Sequence, residues 1–332
     1  MKNLLALLIA AFASVSLYGQ QDPMFTKYMF NSMYYNPAYA GSHEHLSFAL
    51  LHRSQWVNFD GAPITQTFTV HTPLRENRVG VGLSLLHDQI GVSRTMGASL
   101  VYAYRIPLSK KARLAVGIQG GITNWRADFQ KVNLETPNDP SFGTSPSKWL
   151  PNFGLGLYYH TKRFYAGLSS PNLIEHKLND QGPTNAPLVA QQYRHYYLAV
   201  GGAIPLKGDD LVFKPSVLFK NVGIDSKLSK NAVKKTINAP TEFDVDLSLL
   251  FMKTLWVGAA FRSSVEKFIG DKSSYDSGDI WASYILRNGM RIGAAYDFTL
   301  TEIQKETPGS FEIMLGYEFD FKVRRIETPR YF

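Results

Sequence analysis

The 332-residue chain contains no cysteine, which rules out a disulfide framework, a thiolate metal site and a lipid-acceptor Cys behind a leader. Beyond the first twenty residues it also lacks any run of about eighteen apolar residues, the length a transmembrane helix requires. Charge of one sign is scarce. The 35 Lys and Arg exceed the 27 Asp and Glu by only eight, and they are scattered along turns and strands. A nucleic-acid binder needs a clustered basic stripe, so nucleic acid is not an expected partner.

The first residues have a grammar of their own. Lys2 gives a positive start, residues 4–15 are apolar except for Ser14, and Ser16 and Gly19 close the segment with small side chains. That is the pattern of a secretory signal peptide over residues 1–19, too short and too weakly flanked for a spanning helix.

From Leu46 onward, period-two alternation dominates, as expected of strands. Phe243, Val245, Leu247, Leu249 and Phe251 alternate with Asp244, Asp246, Ser248 and Leu250. Fourteen such stretches are legible: 46–54, 63–72, 78–86, 94–106, 112–125, 151–160, 163–170, 194–204, 211–220, 242–251, 254–262, 279–287, 289–299 and 309–320. Most have roughly the ten residues that a tilted strand needs to cross a bilayer. Every second connection is short (73–77, 107–111, 161–162, 205–210, 252–253 and 288), and the intervening ones are long. Tight turns at one end and long loops at the other characterise outer-membrane barrels; a soluble sandwich has no reason to sort its loops. The expected architecture is all-β, a transmembrane antiparallel barrel of about 14 strands over residues 46–321. Its turns face the periplasm, its loops face outward, and a tail follows over 322–332. Outer-membrane lipid and lipopolysaccharide are then its surroundings.

The apolar strand faces look to lipid. The opposite faces mix Gly, Ala and Ser with Arg105, Lys214, Glu242, Asp244, Arg262, Arg291, Asp297, Glu312 and Glu318. Arg105, Asp244, Asp246, Arg262, Arg291 and Asp297 are the candidate lumen charge network. Asp244 and Asp246 share a strand face, where they either hold a cation or match Arg and Lys on neighbouring strands. Trp56, Tyr104, Trp125, Tyr159 and Trp281, near strand ends, are candidates for the interfacial aromatic girdles.

Catalytic patterns are missing. His43, His45 and His87-Asp88 lie at or near loops without a Ser–His–acid frame or a third metal ligand at suitable spacing. The glycines at 117, 120, 121, 201 and 202 are not followed by a helix, which a phosphate-cradling loop requires. No enzymatic activity, cofactor or metal is expected.

Residues 20–45 differ from the rest. They are dense in Met, Phe and Tyr, nearly uncharged, without sustained alternation, and punctuated by Asp22-Pro23 and Asn36-Pro37. Two readings stand side by side: a plug packed into the periplasmic mouth, and a docking surface, since aromatic and Met-rich surfaces suit protein contacts.

The same residues resemble the N-terminal signature of the PorP/SprF family of the type IX secretion system: Asp22-Pro23, the stretch 28–31, and Asn36-Pro37-Ala38-Tyr39-Ala40-Gly41-Ser42. Further blocks follow in order, among them Pro151-Asn152-Phe153-Gly154, Phe213-Lys214-Pro215-Ser216, Ile292-Gly293-Ala294-Ala295-Tyr296-Asp297 and the closing Pro329-Arg330-Tyr331-Phe332. The likeness spans essentially the whole mature chain. It implies an outer-membrane accessory of type IX secretion, of the gliding type, that supports export or surface anchoring of a large secreted adhesin through that adhesin's C-terminal domain. Other secretion components are implied as partners. Asp22, Pro23, Phe25, Tyr28, Asn31, Tyr35, Asn36, Pro37, Ala38 and Gly41 are the candidate partner-binding residues. The rival expectations are a passive diffusion porin, for which a barrel of this size is wide enough if nothing fills it, and a structural subunit of the machine without its own cargo.

Overall fold

In the computed structural model the described residues are 25–43, 45–75, 77–131, 145–178, 191–222, 240–265 and 275–319. The expected signal peptide, Asp22, Pro23 and the tail over 322–332 lie outside them.

Seventeen strand segments build the described chain. They are β1 (Leu46–Ser54), β2 (Ile64–Leu74), β3 (Val79–Ile90), β4 (Ser93–Pro107), β5 (Arg113–Ala127), β6 (Ser147–His160), β7 (Phe164–Ser170), β8 (His176–Lys177), β9 (Gln191–Gln192), β10 (His195–Gly202), β11 (Ile204–Lys207), β12 (Leu211–Val222), β13 (Glu242–Phe251), β14 (Leu255–Ser264), β15 (Tyr275–Ile285), β16 (Met290–Thr299) and β17 (Ser310–Phe319). The two-residue segments β8 and β9 pair only with each other, in a loop. β10 and β11 are one barrel strand broken at Ala203, and both pair with β12. Fourteen barrel strands result. Each is antiparallel to its neighbours, and the circle closes where β1 meets β17. Closure satisfies the strand hydrogen bonds and leaves no long free edge, the condition for crossing lipid.

The alternation sets the two faces. Along β13, Asp244, Asp246, Ser248 and Leu250 are buried in the lumen, while Leu247 is exposed on the outside. Leu100, midway along β4, is 70% exposed on the lipid face. No helix among the described residues is long and apolar enough to cross a membrane; the strands do the crossing.

One stretch of wall is irregular. β7 stops at Ser170, opposite Leu155, while β6 continues for eight more residues to Ser147. The chain after Ser170 turns back along this edge: Leu173 donates its backbone N–H to the Phe153 carbonyl at 2.8 Å. Asn152 caps the Phe153 N–H with its own side chain, and Pro151 has no N–H to leave unpaired. Leu178 then packs beneath Trp125 and Leu150.

Two girdle expectations are corrected. Trp281 is 4% exposed and faces the lumen, because it shares a strand face with Asp279 and Ser283. Trp125 is also buried on the inner face, packed with Leu178. Tyr104 does lie on the outer face, at the turn end of β4.

Candidate functional site

The lumen is occupied by the chain's own residues 25–43. Local chemistry gives this segment short turns rather than a strand. Residues Tyr28–Phe30 form one 3-10 turn and Ser32–Tyr35 a single helical turn. The Asn36 side chain then accepts from the Ala38 N–H, capping a third turn that begins at Pro37. Pro at the first position of such a turn loses no hydrogen bond, since that N–H has no partner there.

The segment runs the length of the lumen. Its far end, at Gly41, lies against Thr72, Gly80 and Arg105, at the turn end of β2, β3 and β4. Its near end, at Thr26, meets Arg53, Asp297 and Glu312, each within two residues of the loop end of its strand. The expectation that the N-terminal part sits at the periplasmic mouth is therefore revised: residue 25 stands near the opposite, loop-side opening.

Over residues 36–41 the wall receives the segment at backbone distance. A Cβ on Gly117 would overlap the backbone of Ala38, and one on Gly80 would overlap the Ala40 carbonyl. Gly117, one of the glycines that no helix follows, thus admits the segment. Midway, Asn31 is held by Thr67 and Thr69 at 2.8 and 3.1 Å. Phe30 enters an aromatic box with Trp256 and Trp281, ring centroids at 5.0 and 5.4 Å.

Residues 25–27 are held differently, by charge. Glu312 accepts two consecutive backbone N–H groups, Thr26 at 2.8 Å and Lys27 at 3.0 Å. The Thr26 hydroxyl donates to Asp297 at 2.7 Å and accepts from Arg53. Arg262 donates to the Phe25 carbonyl at 3.2 Å and to Asp244 at 2.8 Å. The Lys27 ammonium lies 2.5 Å from Asp279 and 3.2 Å from Asp246, all three side chains fully buried or nearly so. The Trp281 indole donates to Asp246 at 2.8 Å.

Of the expected charge network, Asp244, Asp246, Arg262 and Asp297 come together at this site. Arg105 and Arg291 do not. Arg105 holds the Ala40 and Asn77 carbonyls, and Arg291 lies over Phe30 and 3.9 Å from Glu318. The cation that Asp244 and Asp246 were candidates to hold is supplied by Arg262 and Lys27. Lys27, Arg53 and Asp279 were not singled out in the sequence. Lys27 had a signal, being the only charged residue between 25 and 42.

Of the candidate partner-binding residues, Phe25, Tyr28, Asn31, Tyr35, Asn36, Pro37, Ala38 and Gly41 are all buried inside the barrel. Any contact they make with another protein requires the segment to leave its seat.

The fold and this filled lumen define an outer-membrane β-barrel closed by its own N-terminal segment. The family model for the type IX secretion system membrane protein PorP/SprF matches residues 17–317. The chain belongs to that family, and its role is associated with type IX secretion at the outer membrane. No curated protein matches it. Solved barrels resemble it in fold. A Pseudomonas aeruginosa FadL homologue is 14% identical over 93% of this chain and 97% of its own, with a TM-score of 0.47. The monoaromatic hydrocarbon channel CymD is 13% identical over 91% and 95%, with a TM-score of 0.49. The Acinetobacter baumannii protein Omp33 is 11% identical over 83% and 99%, at 0.46. Likeness at this level carries nothing about activity.

Proposed function

We propose that this chain is a non-catalytic accessory of type IX secretion, which supports the export or surface anchoring of a large secreted adhesin by engaging that adhesin's C-terminal domain. The observation that carries the reading is the family match across residues 17–317. The filled lumen supports it, since a barrel closed by its own chain is built to hold something rather than to pass small solutes. Contact with the cargo falls to the loop-side mouth and the long loops over 126–150, 171–193 and 221–241, whose residues 132–144, 179–190 and 223–239 lie outside the described ones. The test is deletion of the gene, followed by surface labelling and secretome analysis. Loss of one or more large adhesins from the surface is the expected result; unchanged display and secretion of every such adhesin would sink the reading.

A further inference from the structure

The anchoring of residues 25–27 is out of proportion to plugging. Residues 36–41 seat largely by close backbone approach to wall glycines, with Arg105 as the charged side chain on the Ala40 carbonyl, while three residues at the other end engage charged side chains from six strands: β1, β13, β14, β15, β16 and β17. The backbone N–H of Thr26 and of Lys27, the carbonyl of Phe25, the Thr26 hydroxyl and the ammonium all find a partner there. Such buried charge contributes little net stability compared with apolar packing of the same shape, and its attested use is to specify one arrangement over another.

The wall also exceeds what its occupant neutralises. Among the described residues, the carboxylates of Asp244, Asp246, Asp279, Asp297 and Glu312 are paired with Arg53, Arg262 and the segment's own Lys27, and Asp276 lies 3.9 Å from Arg262 as well. Asp246 Oδ1 and Asp279 Oδ2 accept no hydrogen bond from the described residues although both are buried. Without Lys27 the wall would draw in another cation strongly. The site lies near the loop end of the barrel, since Glu312, Asp297, Asp244 and Arg262 each lie two residues inside the loop end of a strand.

We propose that this part of the lumen is a peptide-binding site for a segment offering two consecutive backbone N–H groups and a lysine or arginine side chain, and that residues 25–27 are a displaceable resident. Given the accessory role proposed above, on which this inference rests, the incoming segment belongs to the exported partner. It displaces the chain's own anchor from the loop side.

The test uses the full mature chain in detergent and, as probe, a fluorescent synthetic peptide with the sequence of residues 20–31. In the wild-type chain the site is filled from within. The Lys27→Glu chain, whose own segment is repelled by Asp246 and Asp279, is expected to bind the probe at least tenfold more tightly than wild type does. The same probe carrying Lys27→Glu is expected to bind that chain at least tenfold more weakly. A chain lacking residues 20–31, with folding checked by heat-modifiable migration, gives the same comparison if Lys27→Glu fails to fold. Binding of both probes alike, or of neither, to the folded variants overturns the site. Capture of a secreted adhesin by the native chain alongside a negative probe result would leave the accessory role standing and remove this site alone.

Discussion

Lys27 concentrates the physics of the site in one side chain. Its ammonium is buried between two carboxylates, so removing it leaves both charges in a dry wall. Breaking a buried pair from one side costs about 3–5 kcal/mol. Lys27→Met is therefore expected to destabilise the seated segment by that order, read as faster protease cleavage within residues 25–42 at unchanged barrel migration. Adding Asp246→Asn and Asp279→Asn to Lys27→Met should return most of the protection, because the stranded charges go with the lysine. Equal cleavage in the single and triple variants would show that the charges do not hold the segment. Gly117 gives a steric counterpart. A side chain there meets the Ala38 backbone, so Gly117→Val should expose the segment to protease, whereas Gly278, with nothing within 4 Å of an added Cβ, should tolerate alanine. The sequence signalled these residues unevenly. Asp246 was legible from alternation alone, but its partner Lys27 lies over two hundred positions away on a stretch with no period. Nothing local links the two.

At the scale of strands, the sequence was most legible where lipid on one side and lumen on the other enforce strict alternation. β1 and β13 fall on the expected residues, 46–54 and 242–251. β6 and β15 each begin four residues earlier than expected, at Ser147 and Tyr275. There Trp149, Pro151 and Gly278 blur the pattern, while ladder hydrogen bonds carry the strand onward. The tryptophans were misplaced for a related reason. Position near a strand end suggested the girdle, but parity decides the face, and Trp281 lies on the face of Asp279. The lipid-facing reading has its own test. Leu100 lies outward near the middle of β4, and an arginine facing lipid at the midplane costs about 2–4 kcal/mol, falling to roughly 0–1 near the interfaces. Leu100→Arg should lower unfolding stability in bilayers by that larger amount, and Leu108→Arg, in the turn after β4, by little. Equal penalties at the two positions would argue against a membrane-crossing β4.

For the whole molecule, the decisive fact is that fourteen strands enclose a space which the chain fills with its own first described residues. A barrel of this strand number is wide enough to pass solutes when empty, so the occupant governs whether it conducts. Aromatic packing at Phe30, the Asn31 hydrogen bonds and the charged anchor at residues 25–27 hold that occupant at separate heights along the lumen. Thermal fluctuation at one of them leaves the others in place. Composition announced an unusual segment over 20–45 but could not say on which side of the barrel it lay, because seating depends on wall residues contributed by strands throughout the chain. Purified full-length protein in planar bilayers is accordingly expected to show no steady conductance, and a chain lacking residues 25–42 to conduct. Lys27→Glu should fall between them, opening intermittently while Phe30 and Asn31 still bind. Steady conductance from the full-length protein, equal to that of the deletion, would mean that the segment does not close the lumen. The diffusion-pore reading would then return in place of the accessory that holds its partner at the loop-side mouth.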